Sequence, residues 1–180
     1  MTNQPDIHHD FAAWTAHQWA KLVPEADATA ASVAIRFIRT ADELAKSHNT
    51  TIKTFNKHGI TSIADFRILG LLRHLDGQGI SSNHIAQHLH FEPATVSARL
   101  TRLERHHHIQ RTPHPTNRRT HHITLNPKSA PLIDTVYKAL IHNHTQFFNS
   151  LTPTEHQQLA TLLTHITQPT NSAVQGGQGV

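Results

Sequence analysis

The sequence has no cysteine among its 180 residues. That absence excludes disulfide frameworks, thiolate zinc sites, iron–sulfur clusters and any cysteine nucleophile or redox switch. Aromatic residues make up only 6% of the chain and charged residues only 16%. The apolar runs are far shorter than the ~18 residues of a membrane-spanning helix. The N-terminal stretch MTNQPDIHHDFAAW has neither the basic nor the apolar region of a signal peptide. We therefore expect a protein that stays in the cytoplasm.

Catalytic motifs are also missing from the sequence. It has no His-Glu-x-x-His pair, no glycine-rich phosphate loop and no Gly-x-Ser-x-Gly nucleophile turn. Serine, histidine and aspartate occur, but outside any such context. We therefore expect neither an enzyme nor a bound cofactor.

The charge balance is mildly basic, and histidine is abundant. The chain has 16 Lys and Arg, 12 Asp and Glu, and 19 His, for a formal net charge of +4. This bias is compatible with nucleic-acid binding. The histidines have three open explanations: replacement of other polar surface residues, metal binding, or a charge that strengthens DNA binding at low pH. Adjacent histidines such as 106–108 face different ways on a helix, whereas His84 and His88 share a face.

Helices are predicted at both ends of the chain. One covers residues 10–22, and a second is capped by Asp27 or Thr29 and continues past Ile52 towards Gly59. Near the other end, residues 131–150 are followed by a Thr152-Pro153-Thr154-Glu155 capping box, which begins a last helix. Their apolar stripes indicate either core or dimer interface. Residues 1–9 and 169–180 are predicted to be disordered.

Residues 62–105 carry a helix-turn-helix pattern. Ser62 begins a helix that the Asp76–Gly79 stretch ends, and Ser81 or Ser82 can cap the short helix that follows. After a short turn, Pro93 begins another helix whose apolar residues recur at i, i+4 and i+7, namely Val96, Leu100 and Leu103. A short helix, a tight turn and a second helix with one polar face form the helix-turn-helix unit.

A β-hairpin is predicted directly after this unit. Residues 109–111 and 121–125 read as its strands, and the turn-rich loop between them ends in Arg118 and Arg119. Arginines at the tip of such a wing suit a narrow minor groove, whose potential is strongly negative. The predicted fold is mainly α with a small β-hairpin wing (α+β). It is a winged helix-turn-helix over residues 61–126, between N-terminal helices (10–60) and C-terminal helices (127–168) that serve for dimerisation.

This order of motifs resembles the MarR family of transcriptional regulators. The resemblance rests on Arg102-Leu103-Glu104, Ile109-Gln110-Arg111, the Pro115–Arg119 stretch, Ile123-Thr124-Leu125 and the Leu151–His156 stretch. It implies a homodimer that binds a pseudo-palindromic operator in double-stranded DNA, most simply as a repressor. Three positions depart from the family pattern: Asn117 replaces an aspartate, His107-His108 replace a glycine, and Asn126-Pro127 replace the usual start of the next helix.

A finer resemblance is to the urate-responsive (PecS/TamR-like) branch of that family. An extra N-terminal helix with Trp19, followed by Pro24-Glu25-Ala26-Asp27, is similar to that branch. So is an arginine inside the second helix of the unit, Arg99, and Arg111 fits a second ligand-linked arginine. The branch's aspartate falls at Arg67, with Asp65 two residues earlier. The resemblance implies a urate-like or phenolic anion as effector, bound by Trp19, Asp65, Arg99 and Arg111.

The residues expected to contact DNA follow from the same arrangement. Thr95, Ser97 and Arg102 are candidates for base-edge and phosphate contacts, and Arg118 and Arg119 for the minor groove. A further pair at a helix N-terminus, Ser81 and Ser82, suits phosphate. Each hydroxyl could instead cap a helix or face solvent. Two other functions stay open: a metal- or pH-responsive regulator using the histidines, and a winged-helix module for protein interaction or chromosome binding without an operator.

Overall fold

The computed structural model describes residues 6–113 and 121–167. Residues 1–5, 114–120 and 168–180 lie outside this description, so the predictions for Arg118, Arg119 and the C-terminal tail fall on residues that the structure does not describe. The chain divides into two compact units, one ending at Leu140 and the other beginning at Ile141.

The first unit begins with two helices that pack against each other, α1 (Phe11–Leu22) and α2 (Ala28–Lys53). Asp27 caps α2, because its carboxylate accepts hydrogen bonds from two amides of the first turn at 2.8 and 3.0 Å. Asp10 caps α1 in the same way. Within the segment predicted to be disordered, residues 6–9 form a turn that leads into α1.

Three helices then form the predicted helix-turn-helix lobe: α3 (Ile63–His74), α4 (Ser82–Leu89) and α5 (Pro93–Arg105). Ser62 caps α3, and Ser81 caps α4 by accepting a hydrogen bond from the amide of His84 at 3.3 Å. Of the two serines considered for that cap, Ser81 is therefore the cap and Ser82 the first helical residue.

A glycine joins α2 to this lobe at a point where no side chain fits. A short 3₁₀ turn, Asn56–His58, ends at Gly59, whose φ is +81°. A Cβ at this position would lie 2.4 Å from Cγ of His106. Both the left-handed backbone and the close approach of the imidazole require glycine.

The hairpin is anchored at its base. Strands β1 (Ile109–Pro113) and β2 (His121–Leu125) pair antiparallel, with Ile109 opposite Leu125. Ile80, just before α4, exchanges two backbone hydrogen bonds with Ile123, at 3.1 and 2.9 Å. The wing therefore begins from a fixed position beside α4.

The hydrophobic core joins the end of α2, α3, α4, α5, the hairpin and the first part of α6 (Ala130–Phe147). Its fully buried members include Ile52, Ile68, Leu69, Ile85, Val96, Leu100, Leu103, Ile123, Ile133 and Val136. The i, i+4, i+7 stripe predicted for α5 is therefore confirmed as core. Two polar contacts add to the junction of α3 and α6: Arg73 with Asp134 at 3.0 Å, and the Tyr137 hydroxyl with His74 at 2.8 Å.

The second unit contains the end of α6 and α7 (Pro153–Thr167). The predicted capping box is present, because the Thr152 amide donates to the Glu155 carboxylate at 2.8 Å while the Glu155 amide donates to the Thr152 hydroxyl at 3.3 Å. Leu162 and Ile166 are exposed on α7. Among the helices of the described residues, none is both long and apolar enough to cross a membrane.

Candidate nucleic-acid interface

Helix α5 exposes one polar face and buries the opposite one. Val96, Leu100 and Leu103 have no solvent exposure, and the intervening Thr95 and Ser97 are exposed. The Thr95 and Ser97 side chains are thus accessible to a large partner, as a recognition helix requires. Their assignment as base-contacting residues stays a prediction.

The turn between α4 and α5 is held by Arg67. Its guanidinium donates to the carbonyl oxygen of Leu89 at 3.0 Å and lies over the ring of Phe91, 4.6 Å from the ring centroid. The first contact satisfies a carbonyl at the end of α4, and the second is a cation–π interaction. Arg67, which stands where the urate-responsive branch has an aspartate, therefore supports the helix-turn-helix unit.

The two serines before and in α4 differ in what they can offer a phosphate. The Ser81 hydroxyl is engaged in its cap, whereas Ser82 is exposed in the first turn. Backbone amides at a helix N-terminus favour an anion. Ser82 is therefore the freer of the two predicted phosphate contacts.

One buried carboxylate, that of Asp65, contacts both Arg99 and Arg102 of α5. Asp65 of α3 has no solvent exposure, and its Oδ1 accepts hydrogen bonds from Arg99 Nη1 at 3.0 Å and from Arg102 Nη2. Arg99 Nη1 also donates to the Ser62 hydroxyl at 2.6 Å. Arg99 and Arg102 are three residues apart on one helix, so they share a face and can reach the same oxygen.

The second oxygen of Asp65 is also engaged. Its Oδ2 accepts from the amide of Thr61 at 3.0 Å and from the Thr61 hydroxyl at 2.9 Å. Burial by itself raises the pKa of Asp65, but the hydrogen bonds from Thr61 and Arg99 and the charge of Arg102 together lower it below the ordinary 3.8. The carboxylate is therefore ionised at neutral pH and neutralises one of two arginine charges.

The four residues expected to form a ligand site are divided among three places. Asp65 and Arg99 are in contact, as described above. Arg111 of β1 instead pairs with Glu104 at 3.0 Å and donates to the Thr101 hydroxyl at 3.3 Å. Trp19 is 49% exposed on α1, the helix that packs against α2. The structure thus brings together one pair out of the predicted four.

The histidines that follow α5 take over the role of the family's glycine. His107 adopts a left-handed backbone with φ of +60°, which is the conformation that favours glycine. His108 is buried: its Nε2 donates to the carbonyl oxygen of His58 at 2.5 Å, and its Nδ1 hydrogen-bonds the Ser129 hydroxyl at 3.0 Å. These histidines are therefore structural parts of the wing base.

No metal centre forms in the part of the chain that the structure describes. Within residues 6–113 and 121–167, no three side chains of His, Asp or Glu are grouped as a metal site requires. His84 and His88 share the exposed face of α4 as predicted, without a third ligand in that range.

Comparison with known proteins supports the winged-helix fold just described. The MarR family model matches residues 61–121. The described part of this lobe has a winged-helix fold, and its sequence is similar to the MarR family over residues 61–121. A search of curated proteins gives no match for the chain.

Solved structures share the fold of this chain at low sequence identity. A mutant MarR from E. coli in complex with operator DNA is 16% identical, with a TM-score of 0.67 over 83% of this chain and 98% of that one. The S. aureus MepR–DNA complex is 23% identical, with a TM-score of 0.65 over 74% and 94%. CouR from Rhodococcus jostii RHA1, bound to p-coumaroyl-CoA, is 17% identical, with a TM-score of 0.62 over 77% and 93%.

Sequence reasoning missed the shared use of Asp65 by both arginines. The available signal was Arg99 and Arg102 on one face of α5, together with an aspartate in the first turn of α3. Arg102 was predicted to contact DNA and Asp65 to bind a ligand, and the ion pair between them links those two expectations.

Proposed function

We propose that this chain is a homodimeric MarR-type transcriptional regulator that represses by binding a pseudo-palindromic operator. The supporting observation is the exposed polar face of α5, which lies opposite a buried stripe in a lobe that matches the MarR family. Two proteins with this fold are crystallised with DNA. Such a regulator works at the chromosome, and we propose the cytoplasm as its location.

In the proposed complex, α5 enters the major groove. Thr95 and Ser97 contact base edges, while Ser81 and Ser82 lie at a phosphate. Arg118 and Arg119 enter the minor groove from the wing tip. Two recognition helices related by dimer symmetry then read half-sites about 10 bp apart.

Whether Arg102 contacts DNA in this proposal depends on its ion pair with Asp65. Its guanidinium is bound to Asp65 and its side chain is 35% exposed, so part of the group remains accessible. A DNA phosphate would compete with Asp65 or take the remaining donors. Because Arg99 shares the same carboxylate, a change at one arginine affects the other.

The proposed effector is a small urate-like or phenolic anion that acts at the Asp65–Arg99 pair. An anion that accepts hydrogen bonds from Arg99 replaces part of the Asp65 contact and shifts α5 relative to α3. A coupling free energy of about 1–3 kcal/mol between effector and DNA is enough to release an operator. CouR, a protein of the same fold, is crystallised with p-coumaroyl-CoA. In this proposal, Trp19 and Arg111 contact the effector only at its periphery.

Fluorescence anisotropy on the gene's upstream DNA tests the DNA-binding proposal. We expect the Arg118→Ala/Arg119→Ala variant to bind at least about tenfold more weakly, with a log–log salt slope smaller by about two. The matched control is Lys53→Ala with Lys57→Ala, which removes two charges outside the lobe's DNA face. Unchanged affinity of the arginine variant would refute the wing assignment.

A footprint separates a regulator from a general chromosome-binding module. A regulator protects a discrete pseudo-palindrome, and Thr95→Ala with Ser97→Ala reduces its preference for that site over random DNA. Salt-sensitive binding without any protected site would instead favour the chromosome-binding module.

Thermal-shift titration tests the effector. Urate, which has no carboxylate, should raise the unfolding temperature of the wild-type chain, and Arg99→Gln should abolish that rise. Equal shifts in wild type and Arg99→Gln would exclude this pair as the effector site.

A further inference from the structure

A second cleft with the chemistry of a ligand site lies at the N-terminal end of the structure, built from residues outside the α3–α5 site. It occupies about 630 Å³ between the turn before α1 and the middle of α2. Binding sites for small molecules commonly measure about 300–1,000 Å³. Its lining includes two guanidiniums (Arg36 and Arg39), the imidazoles of residues 8 and 9, the Asp10 carboxylate, and the apolar side chains of Ile7 and Phe11.

The two arginines of this cleft differ in their partners. Arg36 is engaged, because its guanidinium contacts the Asp10 carboxylate and the Ser32 hydroxyl. Arg39 forms no ion pair with any carboxylate of the described residues, and Glu43, one turn further along α2, pairs with Lys46 at 2.7 Å. Arg39 therefore keeps its donors free of a close ion pair, although the charge of Glu43 acts on it from one turn away.

The charge of Arg39 is fixed beside an exposed aromatic ring. Its guanidinium carbon lies 4.9 Å from the ring centroid of Phe11, and that phenylalanine is 43% exposed. Ile7, also on the cleft, is 40% exposed. A stacked guanidinium keeps its donor edge free for a planar acceptor, and the apolar side chains beside it remain open to solvent.

These features together define what the cleft can recognise. A carboxylate accepts two parallel hydrogen bonds from one guanidinium, which a single-point anion does not. A flat apolar body attached to that carboxylate would cover Phe11 and Ile7 and remove their surface from water. We propose that this cleft binds a small aromatic carboxylate, with Arg39 holding the carboxylate and Phe11 and Ile7 contacting the ring.

Isothermal titration calorimetry of the full-length chain with naphthalene-2-carboxylate tests this site. We expect saturable binding, weakened at least about tenfold in Arg39→Gln and in Phe11→Ala. Arg39→Lys keeps the charge but loses the paired donors, so its affinity should fall between those of wild type and Arg39→Gln. Lys53→Gln, the matched loss of charge at the far end of α2, should bind like wild type.

Two comparisons test whether the cleft recognises the carboxylate of the ligand and whether the ligand binds in this cleft. The neutral 2-naphthylmethanol should bind at least about tenfold more weakly than the carboxylate, since it lacks the paired acceptors. In amide NMR spectra, the carboxylate should shift signals from residues 7–12 and leave those of residues 61–65 in place. Equal binding of the alcohol, unsaturable binding, or shifts at 61–65 with loss of binding in Arg99→Gln would overturn the proposal.

The proposal stands apart from the effector proposed for Asp65 and Arg99. If urate fails to stabilise the chain while the naphthoate binds through Arg39, the cleft is supported and the α3–α5 effector is rejected. Thermal unfolding of Arg39→Gln within about 1 °C of wild type would show that loss of binding does not reflect loss of fold.

Discussion

Asp65 combines two properties that seldom occur together in one carboxylate. It has no solvent exposure, yet it faces two guanidiniums and the amide and hydroxyl of Thr61. Burying an ion is costly unless its charge and lone pairs are all satisfied. Asp65 meets that condition through four donors, and this makes its removal far more damaging than the loss of an exposed ion pair.

We therefore expect Asp65→Asn to lower the free energy of unfolding by about 3 kcal/mol, because it leaves two partly buried arginines without an anion. Urea denaturation measures this. Asp134→Asn is the matched control, since Asp134 pairs with Arg73 at a site where the carboxylate is 47% exposed, and we expect it to cost less than about 1 kcal/mol. Equal losses in the two variants would contradict the special role of Asp65.

The lowered pKa of Asp65 predicts a pH dependence with a defined sign. A carboxylate whose folded pKa is below its unfolded value stabilises the fold above that unfolded value, 3.8 here, and the contribution is lost as pH falls through the folded pKa. As pH falls below 3.8, the stability of wild type should therefore fall more steeply than that of Asp65→Asn. Parallel curves would show that Asp65 does not contribute to the acid response.

At the scale of elements, local rules predicted most of the fold. The caps at Ser62 and Ser81, proline at the start of α5 and the two strands all depend on neighbouring residues, and the structure has them as expected. The Asp65 pair and the buried His108 depend on residues 34 and 50 positions away along the chain. Such contacts are set by packing, which short-range periodicity does not encode.

The turn after α5 contains strain that a substitution should relieve. His107 has a φ of +60°, a conformation that costs a non-glycine residue about 1 kcal/mol. We expect His107→Gly to raise the unfolding free energy by up to about 1 kcal/mol. His106→Gly is the control, because His106 has an ordinary φ of −85° and should gain nothing. A loss of stability in His107→Gly would show that its side chain contributes more than its backbone costs.

Gly59 and Gly77 have similar φ angles, so comparing substitutions at the two positions distinguishes backbone strain from steric conflict. Gly59 and Gly77 have φ of +81° and +85°, but a Cβ at Gly77 has open space whereas one at Gly59 meets the ring of His106. We expect Gly59→Ala to destabilise the chain by at least about 1 kcal/mol more than Gly77→Ala. Adding His106→Ala should recover that difference, as measured by thermal or urea unfolding. Equal costs at both glycines would mean that the imidazole moves aside freely.

At the scale of the whole molecule, several large apolar side chains are exposed to solvent in the single chain. On α2, Val33, Phe37 and Ile38 are each more than half exposed. Exposed apolar patches of this kind mark interaction sites. They support the proposed homodimer, in which this surface of one chain meets a second copy.

Light scattering after size-exclusion chromatography tests that assembly. The wild-type chain, of 20.2 kDa, should have twice that mass in solution, and Phe37→Glu should shift it towards the monomer because a charge would be buried at the interface. Thr50→Glu, an exposed polar position on the same helix, should leave the mass unchanged. A monomeric wild type would contradict the dimer, as would a Phe37→Glu variant that keeps the doubled mass.

The buried His108 determines how the lobe is connected to the rest of the chain. One imidazole binds His58, just before the lobe, and Ser129, just after it. The chain therefore enters and leaves the lobe at a single point, as it does in domains that tolerate insertion or permutation. A single imidazole therefore ties the segment that precedes the lobe to the segment that follows it, beside the base of the wing.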